Sequence, residues 1–126
     1  MNNLDNLFLK AKSASNNAYS PYSGYKVGAA LETKNGDIFT GCNIENASYS
    51  GTICAERVAI SKAVSENQRD FTAIAIYVQS EKLFAPCGIC RQYMAEFSSD
   101  LIVLYGNDNQ QCLSNIKELL PEAFKI

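Results

Sequence analysis

Cys87 and Cys90, in the stretch Ala-Pro-Cys-Gly-Ile-Cys-Arg-Gln, have the Cys-x-x-Cys spacing of half a metal site or of a redox pair. A third cysteine, Cys54, stands in Thr-Ile-Cys-Ala-Glu-Arg, with Glu56 two residues on and Arg57 beside it. Thiolates bind zinc. Structural zinc sites close with four ligands, whereas catalytic ones keep three and leave a position for water. A carboxylate beside such a water can accept its proton and hand it to a leaving group. The chain has five cysteines and no histidine, so the common nitrogen ligand is excluded. Taken singly, each residue has a plainer role: a cysteine as a small buried hydrophobe, Glu56 as a first-turn acid favoured by the helix dipole, Arg57 as a solvated cation. Cys42 and Cys112 keep that plain reading. The redox alternative for Cys87 and Cys90 gives Cys54, Ala55 and Glu56 nothing to do.

For three sulfurs to meet, the chain must bring two distant segments together. Leu4, Leu7, Phe8, Ala11, Ala14 and Ala18 recur at helical spacing, so residues 3–18 read as an amphipathic helix. Two extended runs follow, "KVGAALET" and "IFTGCNI", joined by Lys34-Asn35-Gly36-Asp37, where Asn-Gly is a hairpin signal. Thr52 is placed to cap the next helix. "FTAIAIYVQ" is apolar enough for a strand covered on both faces, and Pro86 suits a first helical position. "LIVLYG" reads as another buried strand, the stretch near Gln110 to Leu113 as a fifth, and "LSNIKELLP" as a short helix stopped by Pro121. Helices alternating with apolar strands indicate an α/β layer sandwich. Cys54 and the Cys87/Cys90 pair both fall at strand-to-helix junctions. A helix N-terminus offers free N–H groups and partial positive charge, which favour the thiolate. The trio forms if the two helix starts lie side by side.

Composition narrows the classes of function. The 126 residues carry 11 basic and 13 acidic side chains, a net charge of −2, with a sequence pI near 5.1. No basic cluster is present, so a role on nucleic acid is not expected. No signal peptide or membrane span is expected either. The expectation is a single domain over 1–126 in the cytoplasm, where thiols stay reduced.

Cys54-Ala55-Glu56 and Pro86-Cys87-Gly88-Ile89-Cys90 together resemble the zinc-dependent nucleoside and nucleobase deaminases. The nearer likeness is to the small homotetrameric cytidine deaminases. It runs through "YSPYSGYKVGAAL", "GCNIENASY", "TICAERVAI", "PCGICRQ" and "ELLPEAF" in order. The resemblance implies a three-layer α/β/α sandwich around a mixed five-stranded sheet. It implies one Zn²⁺ per chain on Cys54, Cys87 and Cys90, with Glu56 as proton shuttle while zinc-bound hydroxide attacks C4. The reaction implied is hydrolysis of cytidine and 2′-deoxycytidine to uridine and 2′-deoxyuridine with release of ammonia, a step of pyrimidine salvage.

The resemblance also assigns substrate contacts. Asn43 and Glu45 would hold the ribose. Tyr25, where the family usually has Phe, would stack on the pyrimidine. The Ala55 N–H would hold O2 and the Ala85 carbonyl the departing amine. Ala47, Tyr49 and Phe124 would complete the site of a neighbouring subunit in a homotetramer. Arg57 would hydrogen-bond the sulfurs and offset their charge, with Arg91 a weaker candidate for that task. Two rivals, a nucleic-acid editing deaminase and a deaminase of a cytosine-containing antibiotic, share the metal motif. The first should show basic channels, and the Asn43–Glu45 block disfavours the second.

Overall fold

The structure, a computed structural model, describes residues 3–126. Five strands form one mixed sheet in the order β2-β1-β3-β4-β5: β1 (Val27–Thr33), β2 (Ile38–Cys42), β3 (Phe71–Val78), β4 (Ile102–Gly106) and β5 (Gln111–Asn115). β1 pairs antiparallel with both β2 and β3, β3 and β4 are parallel, and β5 returns antiparallel to β4. The carboxyl ends of β2, β3 and β4 therefore share one edge of the sheet.

Strand alternation divides the core into two layers. On one face Ala30, Ala73, Ala75, Tyr77 and Leu104 receive Leu7, Phe8 and Ala11 of α1 (Asn3–Ser15). On the other, Ala29, Leu31, Ile74, Ile76 and Val103 pack against α2 (Ala55–Ser65) and α3 (Gly88–Phe97), with Ile116 of the short α4 (Ile116–Leu119). The result is an α/β/α sandwich, as expected. β3 is buried along nearly its whole length because it is covered on both faces. Among the described residues no helix is long and apolar enough to cross a membrane.

Two glycines set the distance between layers. A Cβ on Gly28 of β1 would lie 1.9 Å from the Ala11 carbonyl oxygen, and one on Gly41 of β2 would lie 2.4 Å from that of Ala55. The second contact matters for the site, since it seats the first turn of α2 directly on β2.

Several boundaries differ from the sequence expectation, each for a local reason. α1 ends at Ser15, and residues 16–18 continue only as tight turns to carbonyls three residues back. The Asn-Gly hairpin is present, but not as a two-residue loop. Gly36 donates to the Thr33 carbonyl, closing a turn over Lys34 and Asn35, and of the four loop residues only Gly36 takes positive φ. Thr52 does not cap α2. It closes a 3₁₀ turn at Tyr49–Gly51, its hydroxyl accepts from the Asn46 N–H, and Cys54 takes the cap position. Pro86 precedes the first helical position by two residues, because Cys87 caps α3. β5 extends to Asn115, whose side chain caps α4 by accepting from the Glu118 N–H. Ser114 and Asn115 are therefore strand, not the helix start expected.

Candidate metal and catalytic site

Cys54 and Cys87 are the cap residues of α2 and α3, both with extended backbone and neither making a side-chain cap bond. The free N–H groups of both first turns are thus left to the sulfurs and to whatever binds beside them. Cys90 sits in the first turn of α3, fully buried. The three Sγ atoms lie within 4.8 Å of one another, with Cys54 and Cys87 3.8 Å apart. A zinc–sulfur distance of about 2.3 Å in a tetrahedron places ligands about 3.8 Å apart, so the donor set and spacing fit zinc. Among the described residues this is the one cluster of potential metal-ligating side chains.

The electrostatics are those of an anionic sulfur cluster. Cys54 is pushed down to about 5, first by the hydrogen bond from Cys90, against the cost of burial, and then by Arg57. Cys90 is pushed up by the same bond and by its burial. Arg57 donates from Nη2 to the Thr52 carbonyl at 3.2 Å and to Cys54 Sγ at 3.7 Å. Its Nε is buried without a partner, a donor left over beside the sulfurs. Burial disfavours the Arg57 charge, yet the Cys54 thiolate raises its pKa on balance.

Glu56 lines the same cavity and is only 4% exposed. Burial pushes its carboxyl up to about 7, opposed by its own backbone N–H and aided by the charge of Cys54. A carboxyl at that value can both take and give a proton near neutrality.

The cavity, of about 230 Å³, opens at the shared edge of strand ends, where ligands commonly bind in α/β sheets. Val27, Ile76, Val78 and Gly106 form its sheet-side wall, and Phe84, Ala85, Pro86 and Cys87 the wall from the β3–α3 loop. Asn43, Glu45, Thr52, Cys54 and Ala55 supply the remainder. A two-way bridge between Ile44 and Ile53 pins Asn43 and Glu45 next to Cys54.

Asn43 and Glu45 are engaged within the chain. The Asn43 amide accepts from the Val27 N–H at 2.9 Å and donates to the Tyr25 carbonyl at 2.8 Å, fixing the entry to β1. Glu45 accepts from the N–H groups of Tyr22 and Ser23 and from the Ser23 hydroxyl. These bonds, the hydroxyl first, hold its carboxyl below the usual range.

Other expected contacts fall elsewhere. Tyr25 packs edge-on against Phe84, ring centroids 4.9 Å apart, and it is Phe84 that lines the cavity. The only sequence signal at Phe84 is an aromatic residue in the short run before Pro86, outside any strand or helix pattern. Tyr49 borders a neighbouring recess with Tyr22, Ser23, Glu45 and Thr52. Ala47 is exposed, and Phe124 lies along α3, where Gln92 Nε2 donates to its carbonyl. The Arg91 guanidinium bonds the carbonyls of Pro86 and Leu119.

Residues 1–105 match the family described as the cytidine and deoxycytidylate deaminase zinc-binding region. The chain belongs to the cytidine deaminase family. It is 48% identical over 122 residues to the cytidine deaminase of Halalkalibacterium halodurans, covering 94% of this chain and 91% of that one. It is 43% identical over 123 residues to the cytidine deaminase of Sporosarcina psychrophila, covering 96% and 90%. Its fold superposes on the crystal structure of the Burkholderia pseudomallei cytidine deaminase with a TM-score of 0.92 at 43% identity, covering 98% of this chain and all of that one. Cytidine deaminases are zinc-dependent hydrolases, and the cysteine cluster here fits that cofactor.

Proposed function

We propose that this protein hydrolyses cytidine and 2′-deoxycytidine to the corresponding uridines, releasing ammonia, as a step of pyrimidine salvage. The observation that carries the reading is the convergence of three cysteine sulfurs on two helix N-termini, with the buried Glu56 beside them in one cavity.

Cys54, Cys87 and Cys90 would hold one Zn²⁺ per chain. When bound, the metal supplies Lewis acidity that makes water nucleophilic near neutral pH. Glu56 accepts the proton of the attacking water and delivers it to N3 of the pyrimidine. Once the new C4–O bond has formed, Glu56 takes the second proton from that hydroxyl and passes it to the amino nitrogen, and the C4–N bond breaks to release ammonia and leave the C4 carbonyl. The Ala55 N–H, in the uncapped first turn of α2, holds O2. The Ala85 carbonyl accepts from the amine and orients it toward Glu56. Asn43 and Glu45 hold the ribose with the bonding capacity their internal contacts leave free: one N–H of the Asn43 amide and the open lone pairs of Glu45. Phe84, backed by Tyr25, faces the ring. Arg57 offsets the charge of three thiolates on a divalent metal, helped by the two helix dipoles.

The active form is a homotetramer in the cytoplasm. Tyr19, Ile44 and Ile53 lie on bridged segments, Tyr22 and Tyr49 border one recess with Glu45 and Thr52, and all five are at least 40% exposed, an apolar concentration expected of an interface. Ala47, Tyr49 and Phe124, which stand off their own chain's cavity, would close the cavity of a neighbour. The test is an ultraviolet assay of zinc-loaded protein with cytidine, 2′-deoxycytidine, cytosine and a cytidine-containing oligonucleotide. Turnover of the two nucleosides alone supports the reading. Turnover of the oligonucleotide or of free cytosine at a comparable rate would contradict it.

A further inference from the structure

The loop between β3 and α3 forms one wall of the cavity and delivers Cys87, yet it belongs to no strand or helix. Its far end is fastened by one side chain. Arg91 Nε donates to the Pro86 carbonyl at 2.7 Å, while the Arg91 backbone N–H donates to the Cys87 carbonyl at 3.0 Å. One residue thus grips two successive carbonyls on either side of a sulfur ligand. The same guanidinium reaches out of the site. Nη1 donates to the Leu119 carbonyl at 2.8 Å, at the end of α4. Gln92, the next residue, donates to the Phe124 carbonyl at 2.9 Å, so the C-terminal segment lies strapped along α3 at two points.

We propose that Arg91 is a positioning residue that couples the C-terminal segment to the metal site: its planar fork holds Pro86 and Leu119 at once, so that docking of the tail fixes the loop that carries Cys87. This is a different task from that of Arg57, which faces the sulfurs. It needs arginine. Two donors at a fixed angle span two carbonyls, whereas a lysine ammonium is a single point on a flexible stem. The inference rests on the metal reading of the cysteine trio, but its test does not depend on deamination.

The experiment compares zinc-loaded wild type with Arg91→Lys, following metal transfer to a colorimetric chelator and amide hydrogen exchange. The expected result is zinc loss accelerated about 10-fold or more, the scale of lost outer-shell support. Exchange should rise in peptides covering 84–90 and 116–125, while β3 and α1 stay protected. Metal release and exchange within twofold of wild type would overturn the proposal. So would exchange rising evenly through the chain, the mark of a merely structural role. A second measurement needs no variant. Adding zinc to metal-free wild type should slow exchange in residues 119–125, which contain no ligand; an unchanged tail would count against the coupling. Failure to bind zinc at all would instead refute the metal reading.

Discussion

At the scale of single residues, the site is a problem of charge. Three thiolates on a divalent metal carry a net negative unit, which weakens the metal as an acid, and Arg57 is the cation in contact with Cys54. Arg57→Gln should weaken zinc retention or lower kcat/KM by about 10- to 100-fold; metal content and rate together check this. Phe84→Ala should raise KM for cytidine about 3- to 10-fold with a smaller change in kcat, since the ring's contact is worth about 0.5–1.5 kcal/mol in bound states generally. Glu45 offers a pH test. Its folded pKa is held below the ordinary value by the Ser23 hydroxyl and two N–H groups. The stability this lends the Tyr22–Ser23 turn is present above the unfolded carboxylate pKa and is lost as pH falls through the lowered folded value. NMR titration of the Glu45 carboxyl should give a midpoint below that of a free glutamate, and Ser23→Ala should move it upward.

At the scale of elements, the site depends on where two helices begin. Gly41 is the seat of the first. Gly41→Ala would force a Cβ to within 2.4 Å of the Ala55 carbonyl oxygen and 2.7 Å of the Ala59 nitrogen, so α2 must lift. The expected cost is about 1–3 kcal/mol by chemical denaturation, with zinc bound more weakly. Gly28→Ala crowds α1 on the opposite face. It should lower stability as much or more while moving zinc affinity less. The sequence made the order of elements plain because each carries its own period and punctuation: the apolar run of β3, the Asn-Gly turn, the cysteines at helix starts. It also made the trio and Glu56 plain, since chemistry of that kind needs few residue types at short spacing. The starts of α2 and α3 lie two residues beyond the sequence expectation because cysteine is not a customary cap, and Thr52 and Pro86 are stronger local signals. That Phe84 lines the cavity, with Tyr25 packed edge-on against it, has no local signature in the sequence. Which of two rings in edge-to-face contact lines a cavity is decided by tertiary packing, and no local pattern records it.

At the scale of the whole molecule, a bound metal and the fold stabilise each other. A ligand that binds only the folded chain stabilises it by mass action, and zinc bound by thiolates from two segments joins α2 to α3. Chelation should lower the melting temperature, and added zinc should restore it; differential scanning calorimetry reads both. If neighbouring chains complete each site, two inactive variants, Glu56→Gln and Phe124→Ala, mixed and reassembled, should regain activity above either alone. Sedimentation should report four chains per particle. The central claim is that the cysteine trio and Glu56 form a hydrolytic site. The most direct measurement is the loss of cytidine absorbance by zinc-loaded wild type beside Glu56→Gln carrying the same zinc content. Turnover by the wild type is expected, with a rate at least about 10²- to 10⁴-fold lower in the variant. Equal rates from the two proteins, or no turnover by a fully metallated wild type, would contradict the claim.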